Sequence, residues 1–274
     1  MQPAEPRKLP LTTLSQSSLQ DYADCPRRFQ LRYLERLEYP AIESEPALEN
    51  EKHQQEGERF HRLVQQYLVG IPAEKIAPLT NTPNLSRWWD NFHANFPHPA
   101  PSPALRPEIT LSAPQGAFRL VAKYDLIARQ DDGWMIYDWK TYRRRPRNES
   151  LVARLQTRVY RALLVQSGAH LNGGAPIPPN QVSMTYWFAE FPAEPAIFRY
   201  DAGQYQRDWA ALEKLAAEIA AARDFPPTPD ERHCAYCPYR SYCNRGITAG
   251  TGEEIESELE LRDITLEQVQ EIAF

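Results

Sequence analysis

The placement of four cysteines is the feature that most constrains how this chain folds. Cys234, Cys237 and Cys243 follow a C-x2-C-x5-C pattern, and Cys25 lies near the opposite end of the sequence. Four thiolates can hold a tetrahedral zinc ion or an iron–sulfur cluster, and scattered buried thiols are the alternative. Structural zinc sites usually come as two close pairs, so this spacing fits zinc less well. If all four cysteines bind one group, we expect residues 25–243 to form a single closed unit.

The composition is that of an ordinary globular protein. The 274 residues are 42% hydrophobic and 24% charged, and no apolar run approaches the roughly 20 residues that span a membrane. The first residues, MQPAEPRKLP, are polar and proline-rich, without the apolar core of a signal peptide. We therefore expect a cytoplasmic protein with no membrane partner, in which the thiols do not form disulfides.

Charge is unevenly distributed along the chain. Residues 251–274 carry eight acids and one arginine, a net charge of −7, which leaves +2 on residues 1–250 because the total is −5. A locally basic stretch follows the middle of the chain and contains Lys140, Arg143, Arg144, Arg145 and Arg147. Such a patch on a near-neutral body indicates a polyanionic partner, with a solvated charged face as the alternative.

The pattern of apolar residues predicts an α/β fold. Residues 1–14 are expected to form an extended arm, and residues 15–37 two short helices, with Ser15 capping the first and Pro26 in the first turn of the second. Further helices are predicted over 51–69, 85–96, 150–166 and 203–223, and strands over 108–113, 118–129, 134–139, 181–190 and 196–200. The QDDG turn at 130–133 joins two of these strands in a hairpin.

The predicted hairpin brings two acids together. Asp125 lies in its first strand and Asp138 near the end of its second, and alternation of side chains puts Lys140 on the same face as Asp138. Hard divalent cations prefer converging carboxylates, and a neighbouring lysine can hold a water and neutralise developing charge. His61 could add a nitrogen ligand, and Glu108 is another acid near this sheet edge. The alternatives are a surface ion pair for Asp138 and Lys140, and simple packing for His61.

Five short motifs occur in one order between Ser15 and Asn244. They are SSLQDYADCPRRFQLRYL, GERFHRLV with His61, KYDLI with Asp125, IYDWKT with Asp138 and Lys140, and QTRVY with Gln156 and Tyr160, and the cysteine trio follows them. The set resembles the PD-(D/E)XK nuclease superfamily, specifically its RecB-like branch with an iron–sulfur cluster. That branch includes the AddB nuclease domain and CRISPR-associated adaptation exonucleases. One departure is Ala122, where the family commonly has glycine.

The resemblance implies a fold and a metal site. It implies a restriction-endonuclease-like mixed sheet flanked by helices, with the nuclease domain over residues 15–246. It also implies that His61, Asp125, Asp138 and the carbonyl of Trp139 bind Mg²⁺ or Mn²⁺, while Lys140 orients the attacking water.

The resemblance also implies roles for the remaining motif residues. Gln156 and Tyr160 would contact the nucleic-acid backbone or brace the lysine, with helix packing as the alternative. The four cysteines, Cys25, Cys234, Cys237 and Cys243, would hold a 4Fe–4S cluster that joins the two ends of the domain.

The activity implied is a Mg²⁺- or Mn²⁺-dependent deoxyribonuclease, an exonuclease on single-stranded or end-containing DNA, in DNA repair, recombination or CRISPR adaptation. No Walker motif is present, so a helicase or CRISPR adaptation partner would supply any unwinding. The alternative is a catalytically silent DNA-binding or interaction subunit of a helicase-nuclease complex. Arg143, Arg144, Arg145 and Arg147 would bind nucleic acid, and one hypothesis is that the acidic tail at 251–274 competes with DNA for them.

Overall fold

A mixed sheet lies at the centre of the fold and helices pack against it. The structure, a computed structural model, describes residues 11–37, 45–97, 100–234 and 237–245. The acidic tail at 251–274 and most of the predicted arm lie outside these ranges. The strands are β1 (Thr13–Leu14), β2 (Leu105–Gln115), β3 (Phe118–Gln130), β4 (Gly133–Lys140), β5 (Val182–Phe188) and β6 (Ala196–Arg199). The helices are α1 (Gln16–Asp24), α2 (Pro26–Phe29), α3 (Glu45–Leu68), α4 (Ala73–Ile76), α5 (Pro83–Asn95), α6 (Asn148–Ala153), α7 (Leu155–Ser167) and α8 (Ala202–Ala221).

The first two helices begin where the sequence predicts. Ser15 caps α1 through a capping box, in which its hydroxyl accepts from the Ser18 N–H and the Ser18 hydroxyl accepts from the Ser15 N–H. Pro26 is the first residue of α2, a position where the missing N–H costs no hydrogen bond. A π-helical turn over Gln30–Leu34 follows α2 directly. Within the described ranges, no helix combines the length and apolar character needed to cross a membrane.

Two predicted elements differ from the observed ones. Residues 150–166 were expected to form one helix, but Arg154 adopts an extended conformation (φ −61°, ψ 142°) and separates α6 from α7. The hydroxyl of Thr157 donates to the Leu151 carbonyl at 2.5 Å across this break, so a side chain replaces a helical backbone donor. The strand predicted over 108–113 is longer at both ends, because β2 pairs with β3 from Leu105 to Gln115.

The sheet is organised around β3. One edge of β3 pairs antiparallel with β2 along its length, and the other edge is shared by β1 and β4. β1 pairs parallel with residues 119–120, and β4 pairs antiparallel with residues 126–130. β5 continues the sheet parallel to β4, and β6 closes it antiparallel to β5. Residues 121–125 of β3 therefore have no strand partner on this second edge within the described part of the chain.

Hydrophobic cores lie on both faces of the sheet. The first core packs the sheet against α1, α7 and α8 and includes Trp134 and Ile136 of β4. The second core packs the sheet against α3 and α5 and includes Tyr137 and Trp139 of the same strand. Alternate side chains of β4 thus enter different cores, as expected for a strand that is buried on both faces.

β3 changes the core that its side chains face at Asp125. Tyr124 packs in the first core and Leu126 in the second, although side chains two residues apart in a regular strand share one face. The pairing of β2 with β3 skips Glu108 and Asp125, which lie between the pairs Pro107–Leu126 and Ile109–Tyr124. Glu108 has a φ of 54°, a left-handed conformation that is uncommon for a residue other than glycine. Residues in such conformations cluster at functional sites, so this part of the sheet is a candidate for one.

Gly133 allows the start of β4 to approach the loop before β5. A Cβ atom at this position would lie 2.2 Å from the backbone oxygen of Gln181. We expect Gly133→Ala to destabilise the fold by about 1–3 kcal/mol or more, since backbone must move to relieve the overlap. Thermal unfolding would measure this. Gly203→Ala in α8 is the matched control, because its Cβ would meet nothing closer than 3.3 Å. Equal melting temperatures for the two variants would contradict the expectation.

Candidate active site and cysteine cavity

Asp125 occupies the open interval on the second edge of β3. Its Oδ2 accepts a hydrogen bond from the backbone N–H of Trp139 at 2.8 Å. The carboxylate therefore replaces a backbone acceptor where β3 and β4 stop pairing. In an antiparallel pair, the N–H and C=O of one residue point the same way, so the Trp139 carbonyl is expected to face the same side.

His61 contacts Asp125 from α3. The Nδ1 of His61 lies 3.3 Å from Oδ1 of Asp125, and the histidine is the more exposed of the two side chains. Burial raises the pKa of Asp125, but the charge and hydrogen bond of His61, with the Trp139 N–H and Lys140, hold it below its usual range. Gly57, one turn earlier on α3, lets this helix pack closely against Thr141, since a Cβ there would lie 2.9 Å from the Thr141 hydroxyl.

Asp138 and Lys140 share one face of β4, as their spacing predicts. The Nζ of Lys140 lies 2.9 Å from Oδ2 of Asp138, and these side chains are only 1% and 3% exposed. The aromatic rings of Tyr142 and Tyr186 each lie 5.7 Å from the same nitrogen. The alternative interpretation, a surface ion pair, is wrong because both groups are buried. Lysine is rarely buried to this degree without a partner or a function.

Gln156 and Tyr160 face this site from α7. The Nε2 of Gln156 donates to Oδ1 of Asp138 at 2.8 Å, which fixes the carboxylate from the side opposite Lys140. The hydroxyl of Tyr160 donates to the Lys123 carbonyl at 2.8 Å, inside the unpaired interval of β3. Tyr160 is fully buried. Its contacts are therefore with the protein, and of the two roles expected for this motif the geometry favours bracing of the site.

Three further residues belong to the same neighbourhood. Glu108 forms an ion pair with Lys123, and burial together with the charge of Asp125 raises the pKa of Glu108 despite that partner. The Tyr186 hydroxyl lies 3.3 Å from Oε1 of Gln156 and 2.8 Å from the Thr157 hydroxyl. The sequence shows Glu108 as an acid near the sheet edge but gives no sign of its contact with Lys123. Nothing local in the sequence distinguishes Tyr186 from a core tyrosine.

Two of the predicted metal-binding side chains contact each other, and the third is held by residues that are not predicted ligands. His61 contacts Asp125, and Asp138 is held by Lys140 and Gln156. Among the residues that the structure describes, no three histidine, cysteine or acidic side chains form a group that could hold a metal ion as they stand. The donors expected from the sequence are thus brought to one end of the β3–β4 hairpin, without a preformed cage.

Cys25 lies beside the C-terminal trio in one cavity. All four cysteines are free thiols and line it, with Arg28 and Thr228 among the other lining residues. Cys25 and Cys234 are buried, and the other two are half-buried. The backbone N–H of Thr228 lies 3.4 Å from the Cys25 sulfur. Burial raises the pKa of Cys243, and the thiols of Cys25 and Cys234 add to this effect.

Backbone contacts also join the two ends of the chain at this cavity. The N–H of Arg27 donates to the Pro226 carbonyl at 3.2 Å, and the Tyr239 hydroxyl donates to the Leu37 carbonyl at 3.0 Å. The N-terminal helices and the segment 226–245 therefore form one contiguous structure among the described residues.

The basic stretch after β4 divides into two kinds of residue. Arg143, Arg144 and Arg147 are exposed. Arg145 is half-buried, donates to the carbonyls of Glu194 and Pro146 and to the side chain of Asn148, and stacks over a phenylalanine ring. Arg145 thus holds the loop between β5 and β6 against the sheet, and the exposed arginines are the cations that face solvent.

Comparison with known proteins gives one family match. A family model described as the PD-(D/E)XK nuclease superfamily matches residues 13–244. No curated protein is similar enough to this chain to be matched. The crystal structure of SSO0001 is 13% identical, with 85% of each chain covered and a TM-score of 0.40. A crystal structure from Eubacterium rectale, of a protein provisionally named an exonuclease, is 12% identical, covers 81% of this chain and 87% of that one, and has a TM-score of 0.45.

Proposed function

The chain belongs to the PD-(D/E)XK nuclease superfamily, and we propose that it is a metal-dependent deoxyribonuclease acting on single-stranded DNA or DNA with a free end. The observation that carries the proposal is the arrangement at the end of the β3–β4 hairpin. There Asp125 of β3, contacted by His61 of α3, lies on the strand next to that of Asp138 and Lys140. The exposed Arg143, Arg144 and Arg147 follow this strand in the chain. Burying a lysine and two acids in one place lowers folding stability, and such groups are typical of catalytic sites.

The donor set suits a hard divalent cation. Two carboxylates, an imidazole nitrogen and a backbone carbonyl are ligands that Mg²⁺ and Mn²⁺ accept, so His61, Asp125, Asp138 and Trp139 would hold the ion. Asp125 remains ionised at neutral pH because its pKa lies below the usual range. When bound, the ion lowers the pKa of a water and offsets charge on the phosphoryl oxygens.

Lys140 and Gln156 have different proposed roles: Lys140 contacts the reacting groups, and Gln156 positions Asp138. The ammonium of Lys140, held 2.9 Å from Asp138, would orient the attacking water and neutralise charge that develops on the phosphate. Gln156 is a positioning residue, because its amide donates to the carboxylate of Asp138 and so orients that ligand. Tyr160 holds the opened edge of β3 through the Lys123 carbonyl.

The cysteine cavity is proposed to hold a 4Fe–4S cluster, with zinc as the alternative. A single zinc ion requires all its sulfur ligands within about 2.3 Å of one point. The four thiols line one cavity, and a close trio with a distant fourth cysteine departs from the two close pairs usual for structural zinc. A cluster of four irons and four sulfides is larger than one ion, so its ligands stand further apart. The sulfur-only donor set fits that group.

DNA is the proposed substrate, and the exposed Arg143, Arg144 and Arg147 are the proposed contacts to its backbone. Their contribution would fall as salt rises, because phosphate contacts release condensed counterions. A helicase or a CRISPR adaptation complex is the proposed partner. This rests on the motif resemblance, in particular on the cysteine pattern and on the absence of a Walker motif from the sequence.

A digestion assay tests the proposed function. The full chain, purified without oxygen, is incubated with Mg²⁺ or Mn²⁺ and with end-labelled linear single-stranded DNA, linear duplex, closed single-stranded circles and RNA. We expect degradation of the linear single strand, complete inhibition by a chelator, and survival of the circle. Degradation of none of these substrates with either metal would overturn the proposal, and cleavage of the circle would replace exonuclease by endonuclease action.

Gln156 provides a test of positioning. Replacing it by leucine keeps the volume but removes the donor to Asp138, so we expect about a 10- to 100-fold lower turnover with little change in KM for DNA. Gln166→Leu is the matched control on the same helix, because the Gln166 amide instead accepts from Tyr205 at 2.6 Å, away from the site. Equal turnover of the Gln156 variant and the control would show that the amide does not support catalysis.

A further inference from the structure

Arg28 is a buried arginine at the wall of the cysteine cavity. It lies three residues after Cys25 in α2, and the residue is 3% exposed. Long charged side chains are almost never buried to this extent unless they are paired. The position is also outside the sheet and the proposed nuclease site, so catalysis at β4 does not account for it.

Two of the three nitrogens of the Arg28 guanidinium contact acids of α1. Nε lies 2.8 Å from Oδ1 of Asp21, and Nη2 lies 2.6 Å from Oδ2 of Asp24. Asp21 is shared with Arg32, whose Nη1 lies 3.1 Å from its second oxygen. These two acids and two arginines balance each other in charge. The acids therefore fix the plane of the guanidinium and leave its third nitrogen to point elsewhere.

The third nitrogen, Nη1, is buried and has no hydrogen-bond partner within the described residues. Nε also lacks a well-aligned hydrogen bond there, but unlike Nη1 it has the ion-pair contact with Asp21. Arg28 also lines the cavity that contains the four cysteines. A buried donor left unsatisfied costs about 1–3 kcal/mol, and more when it is charged. This position therefore indicates that the occupant of the cavity supplies an acceptor.

We propose that Nη1 of Arg28 donates a hydrogen bond to a sulfur of the cluster that the four cysteines hold, with Asp21 and Asp24 orienting the donor. This inference rests on the proposed cluster. Hydrogen bonds to cluster sulfurs stabilise the reduced, more negative state and so raise the reduction potential. Arg28 would then set the potential and the oxygen resistance of the cluster, separately from the nuclease chemistry.

Arg28→Lys tests the proposal, because lysine keeps the positive charge near Asp21 and Asp24 but lacks the planar fork that reaches the cavity. We expect iron and sulfide to bind, with the reduction equilibrium shifted about tenfold toward the oxidised cluster, which for one electron lowers the potential by about 59 mV. Loss of iron in air should also be faster. The potential is read by optical titration of the visible absorbance.

Arg32→Lys is the matched control. It changes the other arginine that pairs with Asp21, and that side chain is not among those lining the cavity. We expect its potential to equal that of the unchanged protein. An unaltered potential and visible spectrum in Arg28→Lys would overturn the proposal, as would equal shifts in both variants.

A second variant guards against failure of Arg28→Lys to fold. Asp24→Asn leaves Arg28 in place but weakens its orientation, so a smaller shift in the same direction is expected, and no shift would again overturn the proposal. Iron content separates this inference from the cluster proposal. If the unchanged protein purified without oxygen holds zinc and no iron, the cluster proposal itself fails, whatever the nuclease assay shows.

Discussion

Lys140→Met is expected to lower metal-dependent DNA digestion by about a thousandfold or more. Removing a positioned charge at a developing anion typically costs 10²–10³ in turnover, and loss of the water contact adds to this. Asp125→Asn should lower digestion to a similar degree, because asparagine cannot supply a charged ligand. The fold should be kept, since asparagine can still accept from the Trp139 N–H. Initial rates on labelled single-stranded DNA, with circular dichroism to check the fold, measure both effects.

Lys123→Met is the matched control for Lys140→Met. Lys123 is also on the sheet and also pairs with an acid, Glu108, so its loss removes the same charge from the same neighbourhood. We expect less than about a tenfold effect on turnover, since Lys123 does not contact Asp138. Full activity in a folded Lys140→Met protein would refute the assignment of Lys140. Equal losses of turnover in both lysine variants would mean that Lys140 contributes only a positive charge near the site.

Cys25→Ser is expected to remove the bound group and much of the stability together. Cys25 joins α2 to a trio more than 200 residues later in the sequence. By the chain-entropy argument, a cross-link closing so long a loop is worth about 4–5 kcal/mol. For a domain of this size, that corresponds to a fall in melting temperature of about 10–20 °C. Iron and sulfide analysis and thermal unfolding on the same sample measure the two losses.

The unchanged protein stripped of iron is the control for Cys25→Ser. If the stability comes from the bound group, the stripped protein and the variant should melt at the same temperature. A variant that keeps its full iron content and melting temperature would exclude Cys25 as a ligand. A variant that melts well below the stripped protein would mean that the thiol contributes through packing instead.

Much of the candidate site follows from local sequence rules. Alternation along a strand is enough to place Asp138 and Lys140 on one face, and the QDDG turn is enough to make β3 and β4 neighbours. The contact of His61 with Asp125 depended on the resemblance, because no spacing rule relates a helix to a strand more than 60 residues later. Helix starts at Ser15 and Pro26 were predictable because caps are local.

The remaining features depend on tertiary context. The left-handed conformation of Glu108 and the change of core at Asp125 occur at one gap in the pairing of β2 with β3. The extended conformation of Arg154 lies inside a run with helical periodicity. The periodicity does not predict the hydrogen bond from the Thr157 hydroxyl across this break. Propensity describes single segments, and these positions are determined by neighbours that are distant in sequence.

The cavity brings together cysteines that are synthesised at widely separated times. Cys25, between α1 and α2, is synthesised well before the segment with Cys234, Cys237 and Cys243. β1 precedes Cys25, and strands β2 to β6 emerge from the ribosome between Cys25 and that segment. A chain interrupted after β6 would retain the nuclease residues yet leave α1 and α2 without their partner segment. The proposed four-cysteine site can therefore be completed only after the trio has been made.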